Sequence, residues 1–196
     1  MKNDYSFLGG DITHWAQSIR RGYAISFLLY SFHESGVFDS LKSLKALTAL
    51  QIAKKNKLNL LALEHGLNFL VDSDNSIKKI GKKYKMTKIG RDRIFSDQVR
   101  AMSLGAVGAY HILLTNYLDT LKNKKKYGKD FMRDGALVAK SSVLTGKANY
   151  SWVANKLKTL NVDTVVDLGC GSGDIIIDFC KRQKTFKGVG LDISKS

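Results

Sequence analysis

Apolar side chains recur along this chain first at helical and later at strand spacing, and that change of period organises it. From about Thr13 to Ser35, Trp15, Ile19, Tyr23, Phe27 and Tyr30 recur at three and four residues, which predicts a helix; Ile25, Leu28, Leu29 and Phe32 widen its apolar surface. Such a helix meets the local core with one face and leaves another uncovered, and a partner subunit is the expected cover. After a break at Gly36, the pattern predicts a helix over about 48–55, a polar turn and a second helix over about 58–71. Asp72-Ser73-Asp74-Asn75 is turn chemistry, and Ile77 to Ile80 and Tyr84 to Thr87 read as a short β-hairpin across Gly81.

A longer helix is predicted over about 97–121, with Val99, Met102, Ala106, Tyr110, Leu113, Tyr117 and Leu121 on one stripe. Gly105 and Gly108 inside it each cost about 1 kcal/mol relative to Ala and imply close packing or a bend. Lys122 to Lys129 reads as a solvated basic turn and a hinge. A helix over about 150–160 then leads into a strand over 162–167. The expected domains are a winged-helix-like dimerisation domain over 1–95, a helical linker region over 96–160, and the start of a Rossmann-like domain over 161–196. The fold class is α+β overall: a mainly helical N-terminal domain, then the first βαβ unit of an α/β domain.

Helix, turn, helix and hairpin is the order of a winged helix. Six lysines on its hairpin (Lys78, Lys79, Lys82, Lys83, Lys85 and Lys88) invite a DNA-binding reading. The second helix argues against sequence-specific recognition. It carries no Lys or Arg between Leu58 and Val71, and Asn59, His65 and Asn68 are its few possible base readers. A packing or dimerisation role is the expectation, with a DNA-binding module as the alternative.

Candidate chemistry lies in Val165-Val166-Asp167-Leu168-Gly169-Cys170-Gly171-Ser172-Gly173-Asp174, followed by Val189-Gly190-Leu191-Asp192. An apolar strand, a glycine-rich turn, a helix start and a second strand tipped by a carboxylate is an arrangement that holds a nucleoside at the edge of a parallel sheet. The dinucleotide fingerprint has its third glycine three residues after the second, where this chain has Asp174. A carboxylate there suits the helix dipole but repels a pyrophosphate, which disfavours NAD and FAD. The ligand should carry no phosphates.

These residues resemble the first motif of class I S-adenosylmethionine-dependent methyltransferases, acid-x-Gly-x-Gly-x-Gly. Asp167, Gly169, Gly171 and Gly173 match it, and Asp192 stands where that family's ribose-binding acid stands. The resemblance implies S-adenosyl-L-methionine as cofactor. Its methionine part would lie against the glycine turn, Asp167 would orient its amino end, and Asp192 would accept both ribose hydroxyls. The stretch from Gly36 to Gly90 resembles the N-terminal domain of small-molecule O-methyltransferases. Gly36-Val37-Phe38-Asp39 precedes the helices, and Tyr84-x-x-Thr87-x-x-Gly90 closes the wing, with Met86 where Leu is common.

The resemblance further implies a small-molecule hydroxyl acceptor, a homodimer through the N-terminal helices, and around seven strands in a complete cofactor domain. Only two are encoded here, so the chain is expected to be an inactive N-terminal portion of the enzyme. Tyr110, His111, Tyr117, Tyr150 and Trp152 are candidates for lining a substrate cleft, with core packing the better expectation for each. His14, His33 and His65 read as ordinary helix histidines.

Composition changes this picture little. The 196 residues are 44% hydrophobic and 25% charged, as in a globular protein with a core. No run reaches the ~18 apolar residues of a membrane span, and no apolar signal core follows Met1, so a cytoplasmic protein without membrane contact is expected. Cys170 and Cys180 make neither a disulfide framework nor a metal site. The net charge of +15 falls entirely before residue 161. The basic residues are mostly Lys, in a chain rich in Asn and Ile and without Pro, a profile that AT-biased codon usage produces; a solvated lysine surface is expected.

Overall fold

The computed structural model describes residues 12–193; the side chains of His14 and Trp15 lie outside the described part. The described chain divides into two compact units, one up to Ser96 and one from Asp97.

In the first unit α1 (Ile12–Glu34) is followed by α2 (Val37–Leu41), β1 (Leu47–Thr48), α3 (Ala49–Asn56), α4 (Leu60–Ser73), β2 (Ile77–Ile80), β3 (Lys83–Met86) and α5 (Lys88–Ile94). Gly36 has φ 74°, and a Cβ there would sit 2.8 Å from Asn56 Oδ1; that amide donates to Ser40 Oγ and to Ile52 O, locking α2 to α3. α3 opens with a reciprocal cap between Thr48 and Gln51, and α4 opens with Asn59 Oδ1 accepting Ala62 N–H at 3.0 Å. The three antiparallel strands lie in the order β1-β3-β2. Phe32, Phe38, Leu41, Ile52, Leu63, Leu67, Ile77, Tyr84 and Met86 form the core.

The inward face of α1 differs from the expected stripe. Ile25, Leu28, Leu29 and Phe32 turn to the core, while Ile19 and Tyr23 are exposed. The wider apolar surface, rather than the regular stripe, is what packs, because Gly66 on α4 admits Phe32 and Leu28 at close range.

The run from Tyr84 to Gly90 has a physical reason at each fixed position. Tyr84 is buried and donates its hydroxyl to Asn68 Oδ1 on α4 at 2.8 Å. Thr87 caps α5 by accepting Gly90 N–H at 2.9 Å and donates to Asn75 O at 2.8 Å. At Gly90 the backbone of Ser76 comes so close that a Cβ would lie 2.1 Å from Ser76 O.

The second unit holds α6 (Asp97–Met102), a π-helical segment (Ser103–Ala109), α7 (His111–Thr115), α8 (Tyr117–Leu121), α9 (Gly135–Thr159), β4 (Thr164–Leu168), α10 (Asp174–Arg182) and β5 (Lys187–Leu191). The single helix expected over 97–121 is therefore four pieces. Gly105 meets Ser141 of α9, whose hydroxyl would be 2.8 Å from an added Cβ and donates to Ala101 O. The close approach of α9 thus coincides with the wider π turn. The buried face is Ala101, Leu104, Val107 and Ala109, and Met102, Tyr117 and Leu121 of the expected stripe are exposed.

α9 begins fifteen residues earlier than the helix expected over 150–160. Its start is marked by Asp134, which accepts Leu137 N–H at 3.0 Å. Gly146 within it makes room for the Tyr150 ring, whose Cε1 would be 2.5 Å from a Cβ there.

β4 and β5 pair in parallel, with Val166 opposite Val189 and Leu168 opposite Leu191. On one face α10 closes on Gly188, where a Cβ would lie 2.3 Å from Ile176 Cγ2. On the other, Val166, Leu168, Val189 and Leu191 are exposed. An uncovered apolar face of this kind is foreign to parallel sheets, which are sheltered on both sides.

Candidate functional site

The site sits where both parallel strands end. Leu191 O accepts the N–H groups of Gly169 (2.7 Å) and Cys170 (3.1 Å), so the turn leaving β4 is folded over the tip of β5. Gly173 N–H closes the loop onto Cys170 O at 2.9 Å. Gly169, Gly171 and Gly173 have φ of 84°, 55° and 75°. An L side chain is strained there at each position, so the Gly-x-Gly-x-Gly spacing is a requirement of backbone shape. Nothing lies within 4 Å of a Cβ built on Gly169 or Gly173, and one on Gly171 would be 3.3 Å from Ala139 Cβ of α9. Two of the three glycines thus face open space. Core packing does not account for them.

Asp192 follows β5 directly, and its Oδ2 accepts Gly171 N–H at 2.8 Å. The two motifs recognised 21 residues apart meet in one hydrogen bond, which fixes the carboxylate at the mouth of the turn. Asp167 is half-buried on β4, opposite Gly190, and Asp174 opens α10 while accepting the Ser172 hydroxyl. Gly190 is needed by the turn itself, since a Cβ there would lie 2.7 Å from Cys170 Sγ.

Three carboxylates therefore surround the turn. Two of them, Asp174 and Asp167, together with Asp178 of α10, act on Tyr150, whose pKa is raised first by burial and then by Asp174, Asp178 and Asp167. A turn enclosed by negative charge, with open backbone and a carboxylate at its rim, suits a neutral or cationic ligand with hydroxyls to donate. It is unsuited to a pyrophosphate. Among the described residues no cluster of His, Cys, Asp and Glu could hold a metal ion.

The proposed cleft-lining residues are dispersed. Tyr150 is buried and packs edge-on to Phe179, with ring centroids 6.4 Å apart. Trp152 is 68% exposed. The Tyr110 hydroxyl accepts from Arg133, whose guanidinium also lies over the ring. His111 is half-buried and Tyr117 exposed. Ala139, beside Gly171, was missed by sequence reasoning, because α9 was not expected to reach so far upstream. A cavity of about 410 Å³ lies at the other end of α10, between Lys158, Phe179, Arg182 and Phe186, away from the glycine turn.

No family model matches the chain. Methyltransferase ungE' of Aspergillus campestris is 24% identical to it over 168 residues, covering 82% of this chain and 47% of that protein. The chain thus spans about half the length of the curated relative it matches. Among solved structures, human N-acetylserotonin methyltransferase in complex with SAM superposes with a TM-score of 0.66 at 16% identity, over 93% of this chain and 60% of that one. An O-methyltransferase family protein from Burkholderia thailandensis gives 0.62 at 12%, covering 93% and 57%. The mitomycin 7-O-methyltransferase MmcR gives 0.60 at 14%, covering 92% and 57%. At such identities the likeness is one of fold: this is a mixed α/β chain folded like S-adenosylmethionine-dependent methyltransferases. No described helix is long and apolar enough to cross a membrane.

Proposed function

We propose that this chain is the N-terminal portion of an S-adenosylmethionine-dependent methyltransferase acting on the hydroxyl of a small molecule. One observation carries the reading. The three positive-φ glycines and the Asp192 carboxylate, joined through Gly171 N–H, stand together at the end of a parallel strand pair, and we read this arrangement as a nucleoside cradle that disfavours phosphate. The fold shared with solved methyltransferases supports it.

The cofactor would supply an electrophilic methyl on a sulfonium. The residues of this chain bind and orient. Asp192 accepts the ribose hydroxyls and is held in position by Gly171, Asp167 attracts the cationic amino end, and Gly169 and Gly173 leave the backbone open to close approach. Methyl transfer is an in-line displacement, so orientation is the main service a protein gives it. The exposed Val166, Leu168, Val189 and Leu191 are the face on which the rest of the cofactor domain would pack, and the chain alone is expected to be inactive. The first unit is read as a winged-helix-like domain that dimerises through α1, whose exposed Ile19 and Tyr23 suit a subunit contact, in a cytoplasmic enzyme.

The test is calorimetric titration of S-adenosylhomocysteine into this chain and into the same protein carried through a complete cofactor domain. Binding by the longer form that is lost in Asp192→Ala supports the reading. Absence of binding by both forms would leave the glycine turn a structural feature.

A further inference from the structure

We propose that the outer face of the β2–β3 hairpin is a sequence-independent binding surface for the phosphodiester backbone of nucleic acid, a role separate from methyl transfer. The antiparallel register sorts the hairpin's side chains. Ile77 pairs with Met86 and both are buried; Lys79 pairs with Tyr84 and donates to Asn68 on α4. On the opposite face Lys78 stands across from Lys85, and Ile80 across from Lys83. Lys82 occupies the turn and Lys88 begins α5.

Two features set this face apart from a solvated lysine surface. No acidic residue occurs between Asn75 and Arg91, and among the described residues none of Lys78, Lys82, Lys83, Lys85 or Lys88 is in an ion pair. The cations immediately after it are compensated, Arg91 by Asp92 and Arg93 by Asp74. Like charges directly opposite on a sheet are destabilising, so the Lys78–Lys85 pair works against the fold unless an anion lies over it.

The chemistry favours a linear phosphate backbone. Same-face positions along a strand are roughly 6.8 Å apart, which lets one row of ammonium groups reach successive phosphates. The hairpin has Lys throughout and no Arg, the residue whose fork reads guanine. Asn59 and Asn68 of α4 are engaged within the protein, as a helix cap and as the acceptor for Tyr84 and Lys79. A membrane surface fits less well, since Ile80 is the one large apolar side chain exposed on this hairpin among the described residues.

The experiment is fluorescence anisotropy of the chain with two labelled duplexes of unrelated sequence. The wild type is compared with Lys78→Gln/Lys83→Gln/Lys85→Gln and with an equally discharged control, Lys122→Gln/Lys124→Gln/Lys126→Gln. The expected result is similar affinity for both duplexes and a binding loss confined to the hairpin variant. Losing three phosphate contacts should flatten the log–log salt slope by about 2.7, so that affinity between roughly 50 and 200 mM salt changes about 40-fold less in the variant than in the wild type. A Lys82→Gln/Lys83→Gln variant, altered only at the turn end, should give an intermediate slope. The proposal is overturned by no binding at the lower salt, by equal losses in hairpin and control variants, by preference for one duplex, or by hairpin-dependent binding to phosphatidylserine vesicles in place of DNA.

Discussion

Gly90→Ala separates two effects that oppose each other at one position. Gly90 lies inside α5 with an ordinary backbone conformation, so helix propensity alone would make Ala better by about 1 kcal/mol. The structure gives the opposite sign. The added Cβ would stand 2.1 Å from Ser76 O and 2.5 Å from Ser76 Cα, where carbon–oxygen contacts normally rest near ~3.3 Å. The obstacle is backbone and has no rotamer to yield, so α5 must move away by about an ångström. That movement strains the Thr87 N–H to Ser76 O bond, now 2.9 Å, and the Thr87 link to Asn75 O. Two weakened hydrogen bonds at about 1 kcal/mol each, with overpacking of about 1–3 kcal/mol and the helical gain subtracted, leave a net loss of about 2–4 kcal/mol. Urea unfolding followed by far-UV circular dichroism, with hydrogen exchange of the hairpin amides, measures it. Gly81→Ala is the comparison: its φ is 57° with nothing within 4 Å, so it should cost only the left-handed penalty of about 1–2 kcal/mol. A Gly90→Ala protein as stable as the wild type, or more stable than Gly81→Ala, would refute the steric argument.

Further outcomes follow from the same kind of reasoning. Gly188→Ala should destabilise the second unit by about 1–3 kcal/mol through its clash with Ile176 Cγ2, and should cost less in an Ile176→Ala background, as a double-mutant cycle of urea midpoints would read. Thr48→Ala removes the reciprocal cap of α3 and should lower stability by about 1 kcal/mol, measured as a shift in denaturation midpoint. Tyr150 holds its proton more tightly folded than unfolded, so its contribution to stability is fully present below its ordinary pKa of 10.0 and is lost as pH rises through the raised folded value. Stability should therefore begin to fall near pH 10.0 and level off above the raised folded value, and Tyr150→Phe should flatten the decline.

Local signals with a stereochemical cause were legible in the sequence. The hairpin falls at Ile77–Ile80 and Lys83–Met86, and the glycine-rich stretch forms a turn between strand and helix, with left-handed backbone at Gly169, Gly171 and Gly173. α3 and α4 lie within two residues of expectation because Thr48 and Asn59 cap them. Periodicity misled where packing overrode it. The stripe from Val99 to Leu121 is regular in sequence, yet the π-helical segment over Ser103–Ala109 and the breaks at Tyr110 and Asn116 interrupt the helical period, and Met102 and Leu121 are exposed. The first half of α9 was hidden because Ser141, Ser142, Thr145 and Gly146 are weak helix formers, and tertiary contacts with the segment from Ala101 to Gly105 hold it. At the candidate site the acids and glycines could be singled out from spacing. That Asp192 would bond Gly171, and that Ala139 would stand beside it, depends on how the strands end and where α9 begins.

The most direct measurement is an amide spectrum of the ¹⁵N-labelled protein, carried through a complete cofactor domain, with S-adenosylhomocysteine, ATP and NAD added in turn. The expected result is that S-adenosylhomocysteine shifts the amides of Gly169, Gly171, Gly173 and Asp192, that Asp192→Ala suppresses the shifts, and that neither phosphate-bearing nucleotide reproduces them. Unmoved glycine amides, or equal shifts with ATP or NAD, would contradict a phosphate-excluding cradle for S-adenosylmethionine.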